Sequence, residues 1–226
     1  VVDQEQRLVG IITVDDAMDV LREENTEDIM KMSAIKPADD TYLKTSAFKH
    51  AKNRIVWLLI LMVSAAITGA IITKYESAFT AIPLLIAFLP MLMDTGGNCG
   101  SQSSTTIIRG LALEEIKPRD FLRVLLKEVG VALMVGVVLA LVNTGRVLIT
   151  YPQEPIRYQL ALVTGLALMC AVLVAKILGC CLPLLAQKLK IDPALMAAPL
   201  MTTIVDACAV LCYFSIATVV MNIPMS

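Results

Sequence analysis

The chain has 226 residues, of which 57% are hydrophobic and 17% charged, with a mean hydropathy of +0.75. That balance excludes an ordinary water-soluble domain and makes a lipid bilayer the main solvent. The net charge of −1 hides a segregation: residues 1–50 hold six Lys or Arg against eleven Asp or Glu, and the rest holds thirteen against nine. An acidic extramembrane piece therefore precedes a mildly basic membrane piece, and nothing marks a nucleic-acid partner.

The sequence opens on Val1 rather than Met and starts inside what looks like a strand, so a piece of a longer protein is expected, with no signal peptide to remove, and a short strand is read over 8–12. A helix follows from about residue 15, capped by Thr13 or Asp15. On it Asp16, Asp19, Glu23 and Glu27 recur at spacings of three and four, with Asp15, Glu24 and Asp28 close by and one arginine, Arg22, among them. Such a stripe is either a solvated face or a set of repelling charges that a divalent cation would relieve. Residues 33–52 become basic towards their end and predict an amphipathic connecting helix at the membrane surface, or a plain linker.

Five apolar runs follow, at roughly 53–74, 78–108, 121–150, 158–187 and 194–222. Each reaches the ~20 residues that a helix needs to cross about 30 Å of hydrocarbon. None alternates with period two, so an all-α polytopic fold is expected rather than a barrel. Lys and Arg concentrate on the flanks that share a side with the N-terminus, including Lys44, Lys49, Lys52, Arg54, Arg109, Lys117 and Arg123. The positive-inside rule then places the N-terminus in the cytoplasm and, with five spans, the C-terminus outside.

The second run carries a polar passage, "MDTGGNCGSQSSTT", behind Pro83 and Pro90. Polar residues at membrane depth are tolerated where protein or a water-filled cavity covers them, so this passage is expected to face the bundle interior. Its glycines and hydroxyls also suit plain helix packing. Asp94, Asn98 and Gln102, spaced by four, put three oxygen-bearing side chains on one stripe. The fifth run has a single charge, Asp206, after Thr202 and Thr203. An ionisable residue inside a membrane is a functional candidate, with a structural partner for a buried donor as the plainer alternative. Lys176 in the fourth run lies at a similar depth and is expected to pair with Asp94 or Glu128, which makes Asp94 structural. The six cysteines fall within predicted spans and read as packing residues rather than a soft-metal site.

"PMLMDTGGNCGSQSSTTIIRGLA" and "DPALMAAPLMTTIVDACAVLCYF" closely resemble the MgtE family of magnesium channels. "RLVGIITVDDAMDVL" resembles the end of the CBS domain that precedes their membrane part. The resemblance implies a remnant of a cytosolic α/β CBS domain over 1–32, a connecting helix over 33–52 and a five-helix ion-conducting domain over 53–226. It further implies a homodimer in the plasma membrane, with a Mg²⁺ pore at the two-fold axis lined by the second and fifth spans. Carried onto this chain, Asp206 is the selecting carboxylate, with Thr202 and Asn98 as pore neighbours. Asp15, Asp16, Asp19, Glu23 and Glu27 would belong to a cytosolic Mg²⁺ sensor. Mg²⁺ is then both cargo and regulator, with no organic cofactor. Mg²⁺ gives up its waters reluctantly, which suits one or two carboxylates facing a largely hydrated ion. A secondary transporter coupled to H⁺ or Na⁺ would use similar features, and a non-transporting sensor or scaffold is a third possibility. No nucleophile–base pair, metal triad or phosphate loop supports an enzyme.

Overall fold

In a computed structural model, residues 1–37 and 42–223 are described. They form helices α1 (Val14–Met32), α2 (Ala47–Lys74), α3 (Glu76–Ala81), α4 (Leu89–Ala112), α5 (Phe121–Thr150), α6 (Arg157–Lys188) and α7 (Ala198–Val220). Three short 3₁₀ turns, Pro83–Phe88, Pro118–Asp120 and Pro193–Met196, lead into α4, α5 and α7. Each opens on a proline, whose fixed φ and missing N–H suit the first position of a helix.

Among the described residues, four segments are long and apolar enough to cross a membrane: Ala47–Lys74, Pro118–Thr150, Arg157–Lys188 and Pro193–Val220. The chain is thus a helical, multi-pass membrane protein. With 24 residues, α4 has the length, about 36 Å at ~1.5 Å per residue, but its polar passage keeps it out of that group. The run expected over 78–108 is not one helix. It breaks at Ile82, where Pro83 cannot extend α3, and the long helix starts at Leu89.

The expected strand over 8–12 does not form. Among the described residues the only β feature is an isolated antiparallel bridge, Val2 to Leu8, closed by a turn with Gln6 at φ 62°. A β-branched run with no further strand to pair with has no sheet to join. Of the connecting helix expected over 33–52, only residues 47–52 are helical, as the start of α2, which Ser46 caps and which runs unbroken into the apolar stretch; 33–37 and 42–46 are turns and irregular backbone. Residues 38–41 of that linker lie outside the described residues.

The core is stacked in three layers along α4. At the first level Phe88 and Leu92 pack with Leu160, Val163, Tyr213 and Phe214. Cys99 then meets Ala132, Val172, Ala175, Met201 and Val205, and finally Ile107 and Leu111 meet Cys180 and Leu184. Numbering rises together in α4 and α6 and falls in α5 and α7, so the first pair runs parallel and the second pair antiparallel to it. α6 touches α4, α5 and α7, whereas α2 packs chiefly on α7.

Candidate functional site

Glycines decide how α4 meets its neighbours. A Cβ added at Gly96 would sit 3.0 Å from Val205 Cγ1, and one at Gly97 would sit 3.0 Å from Thr202 Cγ2. At Gly100 it would lie 3.0 Å from Met201 Cγ and 3.3 Å from the Ala175 carbonyl oxygen. Small residues on this face let α4 and α7 approach to backbone contact.

Beside that contact α4 and α7 form an open groove of about 460 Å³. Leu89, Pro90, Met93, Asp94, Gly97 and Asn98 line it from α4, and Thr202 and Asp206 from α7. The three pore residues expected from the sequence, Asp206, Thr202 and Asn98, are therefore brought together. Thr202 and Thr203 both donate to the Pro199 carbonyl, at 3.0 and 2.9 Å, which leaves the Thr202 hydroxyl oxygen its acceptor capacity. Two carboxylates, an amide and a hydroxyl give the groove the hard oxygen donors that Mg²⁺ or Ca²⁺ take.

Two expectations change here. Asp94 does not pair with Lys176 but joins Asp206 at the groove. Lys176 takes the other partner expected for it, Glu128, with Nζ 3.9 Å from Oε2, and donates to Ser103 Oγ at 3.0 Å. The spacing of four between Asp94 and Asn98 was the signal for the groove face. The polar passage also does not face inward as a whole. Gly96, Gly97, Gly100, Ser103 and Ser104 are buried, while Asp94, Asn98, Gln102, Thr105, Thr106 and Arg109 form an exposed polar stripe down α4.

The acidic helix is arranged differently. No group of three or more His, Cys, Asp or Glu that could hold a metal forms among the described residues. Asp16 closes a capping box with Thr13, accepting from its hydroxyl at 2.6 Å and its N–H at 2.9 Å. Those hydrogen bonds, the hydroxyl's first, hold the Asp16 carboxyl below its ordinary value of 3.8. Asp19 lies 3.4 Å from Arg22, and Glu27 lies 2.7 Å from Lys31. Asp15 and Glu23 are exposed. Lys31 also reaches Asp192, at 2.7 Å, and so ties α1 to the loop ahead of α7. Burial pushes the Asp192 carboxyl up, but the Lys31 ammonium and the Ala194 N–H outweigh it and hold the group below 3.8. The same contact, with Glu27, raises Lys31 above 10.5.

Among these membrane-crossing helices, the groove between α4 and α7 gathers carboxylate, amide and hydroxyl groups, the donors that hard divalent cations take. The MgtE family pattern, described as "Divalent cation transporter", matches residues 89–216, more than half of the chain and all of the groove. This chain belongs to the MgtE family. It is 40% identical over 222 residues to a "Magnesium transporter MgtE" of Thermus thermophilus, covering 98% of this chain and 48% of that protein. Proteins of the same name from Enterococcus faecalis and Bacillus subtilis are each 34% identical, over 222 and 218 residues, covering 98% and 96% of this chain. The chain spans about half the length of these relatives, 48% and 47% in the latter two.

Proposed function

We propose that this chain is the permeation part of a Mg²⁺ channel, with the pore between two copies and Asp206 selecting a largely hydrated ion. The exposed polar stripe of α4 carries this reading. Lipid cannot satisfy a carboxylate, two amides and two hydroxyls, so a face of this kind needs protein or water against it. A second copy related by a two-fold axis would set Asp206 against its symmetry mate and enclose the path. Six waters around one ion take about 180 Å³ at ~30 Å³ each, which the groove of about 460 Å³ accommodates. In this reading α4 crosses the membrane as a fifth span, shielded from lipid on its polar face. The N-terminus is cytoplasmic, and residues 1–32 are the end of a CBS domain. Asp15, Asp16, Asp19, Glu23 and Glu27 then serve Mg²⁺ sensing in the longer protein.

The test is Mg²⁺ flux into vesicles reconstituted with wild type or Asp206→Asn. The variant is expected to lose at least about tenfold of the flux, or ~1.4 kcal/mol, while remaining folded. Wild-type selective flux in a folded Asp206→Asn protein would reject the assignment. Flux that follows an imposed proton gradient would assign a coupled carrier instead.

A further inference from the structure

α5 and α6 meet α4 on the side away from the groove, and there they bury a charged triad. The side chains of Lys176 and Glu128 are only 5% and 13% exposed, and Ser103 is buried between them. Lys176 Nζ donates to Ser103 Oγ at 3.0 Å, and Ser103 Oγ in turn donates to Glu128 Oε2 at 2.5 Å. The hydroxyl on α4 thus bridges a cation on α6 and a carboxylate on α5.

The surroundings leave α4 no slack at this point. Gly179, one turn beyond Lys176 on α6, lies so close that an added Cβ would run into the Gly100 carbonyl and stand 2.9 Å from Ser103 Cβ. The next residue, Ser104, donates to the Met196 carbonyl at 2.7 Å, in the turn that opens α7. Two consecutive serines therefore tie α4 to α5, to α6 and to the turn that leads into α7. Nine residues at about 100° each put Asp94 on the opposite side of α4 from Ser103. A slip of one residue would turn the helix by about 100°, part the charges from their bridge and swing Asp94 out of the groove. Buried ion pairs contribute little net stability against apolar packing, whereas their best-attested use is to fix register.

We infer that Ser103, Lys176 and Glu128 form a register lock for α4, positioning residues that set where Asp94 and Asn98 face. The consequence for ion selection rests on the proposed path through the α4–α7 groove, but the lock itself is read independently of it.

Two variants test it in proteoliposomes containing the whole chain. Ser103→Ala removes the bridge and keeps both charges, and the pair Lys176→Met with Glu128→Leu removes both charges together. Register is read with Gly97→Cys and Thr202→Cys, since a Cβ at 97 lies 3.4 Å from Thr202 Cβ, close to the spacing of a disulfide. The crosslinked peptide is quantified by mass spectrometry. Both variants are expected to fold, with crosslink yield at least halved and the preference for Mg²⁺ over Ca²⁺ reduced about fivefold or more. A crosslink yield at its wild-type value in a folded variant overturns the lock, and an unchanged ion preference where Asp206→Asn does reduce flux overturns its consequence for ion selection. Failure of both variants to fold also overturns the lock, because the triad is then a folding element alone. Should Asp206→Asn leave flux intact, the reading of the ion path fails, and the crosslink still decides on the lock.

Discussion

Gly130→Ala and Gly179→Ala add the same methyl group to neighbouring helices, and the structure gives them opposite signs. Gly130, in α5, has nothing within 4 Å of an added Cβ, and no glycine adopts a positive φ. Alanine there relieves the backbone entropy cost of glycine and should stabilise by about 0.5–1 kcal/mol. Gly179 offers the same gain, but its methyl meets the Gly100 carbonyl, Ser103 Cβ at 2.9 Å and the Ser104 N at 3.2 Å. Two of these are backbone and cannot rotate aside, so α4 and α6 must separate. Overpacking of this kind costs about 1–3 kcal/mol. Separation also stretches the 3.0 Å contact of Lys176 with Ser103, and a hydrogen bond to a charged group contributes about 1.5–3 kcal/mol. Together these leave Gly179→Ala destabilised by about 2–3 kcal/mol and some 3 kcal/mol below Gly130→Ala, a factor of more than 100 in the folding equilibrium at ~1.4 kcal/mol per decade. Denaturant titration of the purified variants in identical mixed micelles measures that difference. Equal stability, or Gly179→Ala the more stable, would refute the close-contact account of the α4–α6 crossing.

Tyr213→Phe deletes a hydroxyl that donates to the Leu85 carbonyl at 2.9 Å, both residues being fully buried. Leaving that carbonyl unpaired should cost about 1–3 kcal/mol in the same titration, and an unchanged midpoint would show that Leu85 finds another donor. Asp94→Asn, which neutralises the second carboxylate of the groove, should lower Mg²⁺ flux at limiting concentration about tenfold, ~1.4 kcal/mol. Normal flux would remove Asp94 from the ion path. The Lys31–Asp192 pair is partly exposed and contributes roughly 0.5–1 kcal/mol to holding α1 on the loop. Because Asp192 is held below 3.8, its contribution is complete above that pH and fades as pH falls through the lower folded value. Lys31, raised from 10.5, contributes fully below that pH and loses its share only as pH climbs through the higher one. A spin label at Glu24→Cys should therefore be immobile from about pH 4 to 10 and freer outside that window. Equal mobility at pH 3 and 7 would discard the contact as the tether.

Span assignment is legible in the sequence wherever an apolar run is continuous. The run at 121–150 is α5, and that at 158–187 is α6 within one residue at each end. Such helices satisfy their own backbones, so composition and length suffice. The strand over 8–12 misled because pairing is non-local: Val9 bonds back only to Val1 beside the isolated bridge, and Ile11 and Ile12 have strand character but join no strand among the described residues. At the groove, Asp206 stands out by its isolation and Asn98 by its place on an oxygen-bearing stripe with Asp94 and Gln102, whereas Thr202 is named a pore neighbour only through the family resemblance. Asp94 could not be placed there, since a lone lysine at similar depth looked like its partner, and only the rotation of α6 shows that Lys176 faces Ser103 and Glu128. Which face of α4 turns inward was hidden for the same reason. Polarity marks both faces, and only the packing separates the small residues from the large ones.

Those two faces explain why α4 lacks the apolarity of a membrane helix, and how it would cross the bilayer in the proposed reading. Its inner face is polar only in small groups: Ser103 bonds to Glu128 and Ser104 to the Met196 carbonyl, the Ser101 hydroxyl is buried without a partner among the described residues, and the glycines expose backbone to α6 and α7 at contact distance. Replacing them with leucines would raise hydropathy and destroy the contact, because the neighbouring helices are already as near as backbones allow. The outer face is polar in large groups, Asp94, Asn98, Gln102 and Arg109, which no other part of the described chain covers. Hydrocarbon against that face would leave carboxylate and amide groups unsatisfied at several kcal/mol each. The same residues that make α4 unfit to face lipid therefore make it fit to face water, and a helix clamped on one side and wet on the other is what the wall of an ion path requires.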